Sequence, residues 1–128
     1  MTREQKRASL VYDKIKQYEN SEGEPKDYGG MALRFPALLR SAGLVQALAF
    51  VEARGKDAHK TFIHDFAAVL SELDGSGKSG KAAFDAYFEQ VQGAALPEYM
   101  RMTREALAVA DWFKRFAQSV LKVEPGED

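Results

Sequence analysis

Apolar spacing of helical period along nearly the whole chain predicts an all-α protein, a compact bundle of about six helices forming a single domain over residues 1–128. Two further observations support that class. No segment alternates apolar and polar residues with the β-branched enrichment and hairpin turns of a sheet, and no internal repeat of fixed period points to a solenoid. With 128 residues and no cysteine, the fold must rest on its apolar core, because disulfides and thiolate metal sites are not available.

The first helix is expected over residues 3–19, where Leu10, Val11, Ile15 and Tyr18 recur at helical spacing opposite Lys14, Lys16 and Glu19. Ser21 to Lys26 mixes glycine, proline and charge, and reads as a solvated connection. Asp27 is placed to cap a second helix containing Met31, Leu33, Phe35, Leu38 and Leu39, with Pro36 expected in its first turn, where a missing N–H costs nothing. Gly43 and Gly55 fall where left-handed helix ends are expected, which makes 44–54 a separate helix. Its nearly continuous apolar run, Leu44 to Val51, predicts a place in the middle of the core.

Asp57 is placed to cap a fourth helix carrying Phe62, Ile63, Phe66, Val69, Leu70 and Leu73, which ends in the linker Asp74 to Gly80. A fifth helix is expected over about 81–92, with Phe84, Tyr87, Phe88 and Val91 apolar. Pro97 then opens the longest helix, reaching about Leu121, and the tail from Val123 onward, 124–128 above all, should be loose.

Catalytic patterns are missing from this inventory. Gly77-Lys78-Ser79 imitates the end of a phosphate-binding loop, but Glu72 stands where the pattern needs its first glycine and no strand precedes it, so a flexible linker is expected. His59 and His64 are five residues apart, which points the two imidazoles in different directions, and both are expected at exposed or edge positions. The acids show no two-carboxylate arrangement. No catalytic residue, metal ligand, cofactor or small-molecule substrate is therefore expected. The basic start lacks the apolar run of a signal peptide, and no stretch approaches the ~18 apolar residues of a membrane span, so a cytoplasmic protein is expected.

A formal net charge of −1 conceals a division. Residues 1–20, 31–56 and 99–122 carry net charges of +2, +3 and +3, whereas 21–30, 57–98 and 123–128 carry −2, −4 and −3. Arg101 with Glu105 and Asp111 with Arg115 are spaced as i,i+4 surface pairs. Basic helices could otherwise line a surface that meets phosphates while acidic segments meet a cationic neighbour. Trp112, at the edge of the apolar face of the last helix, is a candidate partner anchor. Gln46, an amide in an apolar helix, is expected either to hold a buried hydrogen bond or to touch a partner.

Three blocks taken together carry a family resemblance. They are Tyr12-Asp13-Lys14-Ile15-Lys16 with Tyr18-Glu19; Lys26-Asp27-Tyr28 followed by Leu33-Arg34-Phe35-Pro36-Ala37-Leu38-Leu39 and Gly43-Leu44-Val45-Gln46-Ala47-Leu48-Ala49-Phe50; and Glu98-Tyr99, Thr103 to Leu107 and Trp112-Phe113-Lys114-Arg115-Phe116-Ala117. In this order they resemble the small all-helical subunit of the type III-B CRISPR effector, the Cmr complex, over most of the chain and least over residues 74–95. The resemblance implies a non-catalytic structural subunit of antiviral defence. Its copies would stack in an inner filament beside the backbone subunits and, with the large subunit, line the groove where guide and target RNA pair. Implied partners are thus the backbone and large subunits, further copies of the chain, and the guide–target RNA duplex. The candidate RNA-facing residues are Lys14, Lys16, Arg34, Arg40, Lys114 and Arg115, acting through sequence-independent phosphate contacts. The alternative is a helical adaptor that binds protein and never touches RNA.

Overall fold

The computed structural model describes residues 1–19, 25–54 and 56–125. Six helices follow in order: α1 (Arg3–Glu19), α2 (Pro25–Ala42), α3 (Leu44–Ala53), α4 (Asp57–Leu73), α5 (Gly80–Gly93) and α6 (Leu96–Ser119). No strand occurs among the described residues. The fold class and helix number match the expectation from the sequence. The 24-residue α6 runs about 36 Å at ~1.5 Å per residue. It is the axis of the bundle, with α1, α2 and α4 packed along it and α5 against α4.

The core is aromatic. Phe62 of α4 lies edge-on to Phe35 of α2, with ring centroids 5.3 Å apart, and to Phe113 of α6 at 5.2 Å, so one ring ties three helices together. Tyr28 and Phe66 extend the cluster at 5.6 Å from Phe62 and 4.9 Å from Phe35 respectively. All five side chains are fully buried.

Several boundaries and placements differ from those expected. Helix α2 begins at Pro25, so Pro25 and Lys26 belong to it, and Asp27 lies in its first turn instead of capping it. Pro36 is not in the first turn but eleven residues inside α2, and buried. Proline there removes one N–H bond and crowds the preceding carbonyls, at a cost of about 3 kcal/mol. Burial of Phe35 and Leu39 on either side outweighs it. Asp57 likewise sits in the first turn of α4, where Lys56 is the cap residue. The rest of the Ser21–Lys26 connection, the cap expected at Gly55 and the tail residues 126–128 lie outside the described residues.

Gly43 does take the expected positive φ, +86°, but its ψ of 165° lies outside the left-handed helical well, in a region open to glycine. It donates to the Leu39 carbonyl at 3.0 Å, closing α2, and accepts from Ala47 at 2.9 Å, opening α3. Helix α3 is not central. It buries Leu44, Ala47, Leu48 and Val51 and exposes Gln46, Ala49 and Phe50, the last at 48%. Small and apolar residues on its outer side disguised an ordinary one-faced helix as a core one. Val123 is not loose either: it is buried, its N–H reaches the Ala117 carbonyl at 3.2 Å, and its side chain covers Gly29 of α2.

Candidate nucleic-acid and partner interface

The six candidate cations occupy different parts of the surface. Lys14 is half-buried in a groove of about 220 Å³ between α1, α4 and the α4–α5 loop, which it shares with Asp13, Glu72 and Lys78. Lys16 donates to Glu19 at 2.7 Å, a contact that raises its pKa. Arg40 faces Asp111 across the α2–α6 seam at 3.6 Å. Lys114 and Arg115, one turn further along α6, are exposed, and the Arg115 guanidinium lies 5.4 Å from the Trp112 ring centroid. Arg34 lies instead where α2 approaches the α3–α4 junction; burial and the neighbouring Arg54 cation both lower its pKa. Arg40 thus meets α6 at the α2–α6 seam and Lys114 and Arg115 are exposed on α6, Arg115 beside Trp112, while Lys14 and Arg34 lie elsewhere.

The two expected surface pairs are absent among the described residues. Glu105 turns to α1, where it accepts Arg7 Nε at 3.1 Å, Arg7 Nη2 at 2.6 Å and Arg3 Nη2 at 3.1 Å. Arg101 pairs with Glu98 instead, and Asp111 with Arg40. A half-buried carboxylate gains more from a two-pronged arginine on a packed helix than from a solvated neighbour. Burial alone would raise the Glu105 carboxyl, yet the hydrogen bonds from Arg7 and Arg3 hold it below the usual carboxylate range.

Trp112 is half-buried, as expected for an edge position. Its indole N–H donates to Glu4 Oε1 at 2.9 Å and its ring stacks on Phe116 at 5.4 Å, so α1 already engages much of it. Gln46 is exposed, and a buried hydrogen bond is not its role.

His59 corrects another expectation, since it is 1% exposed. The turn after α3 brings Arg54 back over the start of α4, where Arg54 Nε donates to His59 Nδ1 at 3.3 Å. Arginine always carries that proton, so the neutral ring must hold its own on Nε2, which is buried with no hydrogen-bond partner among the described residues. Burial, with Arg54 and Arg34 nearby, lowers the His59 pKa. His64 keeps the edge position expected of it, 3.1 Å from Glu52.

The Gly77-Lys78-Ser79 linker is organised around the buried Ser71. Ser71 Oγ accepts the Lys78 N–H at 2.8 Å and meets Ser76 Oγ at 2.5 Å, while the Ser71 carbonyl accepts the Ser76 and Gly77 N–H groups. These donors point back into the loop and not toward a phosphate. No group of three or more His, Asp or Glu residues could hold a metal ion among the described residues, and no described helix is long and apolar enough to cross a membrane.

One grouping had no signal in the sequence. Phe50 reads there as core and Arg54 and Lys56 as two charges in a basic segment, but the α3–α4 turn sets all three around an open concavity.

Residues 3–120, spanning all six helices, match the family described as CRISPR-associated protein (Cas_Cmr5). The chain belongs to the Cas_Cmr5 family. It is 44% identical over 121 residues to the CRISPR system Cmr subunit Cmr5 of Thermus thermophilus, an alignment covering 94% of this chain and 97% of that protein. The crystal structure of a Cmr5 family protein from the same organism superposes with a TM-score of 0.78 at 42% identity, covering 94% of this chain and 97% of that one. The Cas_Cmr5 match closes before Val123, so the contact that fastens the end of α6 onto α2 lies just beyond it.

Proposed function

We propose that the chain is a non-catalytic structural subunit of a type III-B Cmr effector, working in the cytoplasm in antiviral defence. It stacks with further copies of itself beside the backbone and large subunits and helps to hold the guide–target RNA duplex. The observation that carries this reading is the family match across all six helices, together with a relative of nearly equal length that is itself a Cmr subunit. Head-to-tail stacking of copies is a heterologous contact that continues until another subunit stops it. The exposed Lys114 and Arg115 on α6 are the cations taken first to meet phosphates, with Arg40, which faces Asp111 of the same helix, and Lys14, Lys16 and Arg34 as further candidates.

The test is reconstitution of the complex with Lys114→Glu and Arg115→Glu together. Assembly should survive, target RNA retention should fall, and the dependence of log affinity on log salt should flatten by roughly 1.5 if two phosphate contacts are lost. A protein-only adaptor is favoured by the acidic partners that already meet Lys16 and Arg40. Unchanged target retention and salt dependence in the double variant would select it.

A further inference from the structure

We propose that Phe50, Arg54 and Lys56, backed by Arg34, form a site for one unstacked nucleotide of single-stranded RNA. The proposal deepens the RNA-holding role and rests on it, but at a place separate from the α2–α6 seam. Phe50 is a large aromatic ring left 48% exposed on α3. The Arg54 guanidinium lies over that ring, its Cζ 5.5 Å from the centroid, so a planar cation is layered on the aromatic surface. Phe50, Ala53, Arg54 and Lys56 line a shallow, open depression on the surface.

Charge and preorganisation favour an anion carrying a planar group. Arg54 and Lys56 supply two cations with Arg34 near Arg54, and among the described residues the acids beside them are Asp27, 3.2 Å from Lys56 Nζ, and Asp57, next in the chain. Arg54 does not have to be ordered on binding. Its Nε is already donated to the buried His59 Nδ1, which leaves the outer guanidinium nitrogens for phosphate oxygens. An aromatic ring beside a cationic groove is how proteins hold single strands without reading sequence, because every base has a face to stack. A duplex keeps its bases stacked on one another and offers none to Phe50. The occupant is therefore an unpaired or splayed nucleotide, not the body of the guide–target duplex.

The test is an NMR titration of the full-length chain, ¹⁵N-labelled, with a ten-nucleotide oligouridylate and separately with an RNA duplex of equal length, at low salt. The single strand should shift the Arg54 Nε–H and the Phe50 and Lys56 amides. Phe50→Ala should weaken its binding about tenfold, the range expected for one base–aromatic stack, while Phe50→Trp restores it. Glu89→Gln, on the exposed side of α5, should leave this binding nearly unchanged. Equal affinity of wild type and Phe50→Ala, or preference for the duplex at this site, overturns the proposal. Shifts confined to Lys114 and Arg115 overturn it while leaving the RNA-holding role standing. No shift with either RNA overturns it as well. If Phe50→Ala also drops out of the complex reconstituted without target RNA, the patch is a protein contact.

Discussion

Arg7 of α1 grips Glu105 of α6 through two parallel hydrogen bonds, Nε to Oε1 at 3.1 Å and Nη2 to Oε2 at 2.6 Å, across 98 residues of chain. Both side chains are largely covered, at 19% and 13% exposure, so this pair counts for more than a solvated one. Arg7→Met leaves the carboxylate with Arg3 alone. It should destabilise the protein by about 1–3 kcal/mol, the range for a lost hydrogen bond to a charged group. Because the folded Glu105 pKa is depressed, the pair's stabilisation is present above the unfolded value near 4.3 and is lost as pH falls through the folded value. Urea melts at pH 7 and pH 3 should show a larger Arg7→Met penalty at the first than at the second.

His59 should make stability fall on mild acidification. Its folded pKa lies below the unfolded value of about 6.5, through burial first and then the Arg54, Arg34 and Lys56 cations, against the attraction of Asp27. Above that pH both states are neutral and the full stability is present. Below it the unfolded chain takes up a proton that the folded chain refuses, and stability declines by up to about 1.4 kcal/mol per pH unit until the folded ring protonates. His59→Gln, whose amide oxygen can still accept from Arg54, should lack this component. The difference between wild-type and variant urea midpoints from pH 7.5 to 5.5 measures it; parallel curves would show that His59 does not titrate differently in the two states.

Gly29→Ala should destabilise the protein, although alanine in a helix interior ordinarily gains about 1 kcal/mol over glycine. The new methyl group would overlap the Val123 side chain. Overpacking of this kind costs about 1–3 kcal/mol. Shortening the neighbour with Val123→Ala should recover most of that loss. A double-mutant cycle by thermal melting is the check, and strictly additive effects would mean that the two residues do not compete for the same space.

Tyr28→Phe tests the seam between α2 and the middle of α4. The Tyr28 hydroxyl donates to Asp65 Oδ2 at 2.7 Å, offsetting part of the burial that raises the Asp65 pKa. Removing the hydroxyl should cost about 1–3 kcal/mol at neutral pH, where the carboxylate loses its donor. Asp65 has a raised folded pKa, so its own contribution is fully present below the unfolded value near 3.9 and declines as pH rises through the folded one. The Tyr28→Phe penalty should accordingly shrink at pH 3, and an equal penalty at both pH values would rule out a charged Asp65.

The sequence by itself determined the fold class, the order of six helices and most of the core, because helical periodicity and glycine or proline punctuation act over a few residues. Phe35, Phe62, Phe66 and Phe113 are legible as core from their spacing alone. Choices made between helices were not legible. Glu105 prefers Arg7 to Arg101, and Asp111 prefers Arg40 to Arg115, because packing sets which charges share a half-buried seam. The same packing holds Pro36 inside α2 and buries His59 beneath Arg54. It also turns Phe50 outward beside Arg54 and Lys56, where a local apolar run had implied a core residue. Spacing along one chain specifies a face; which neighbour that face meets depends on contacts tens of residues away, and these exist only once the helices have packed.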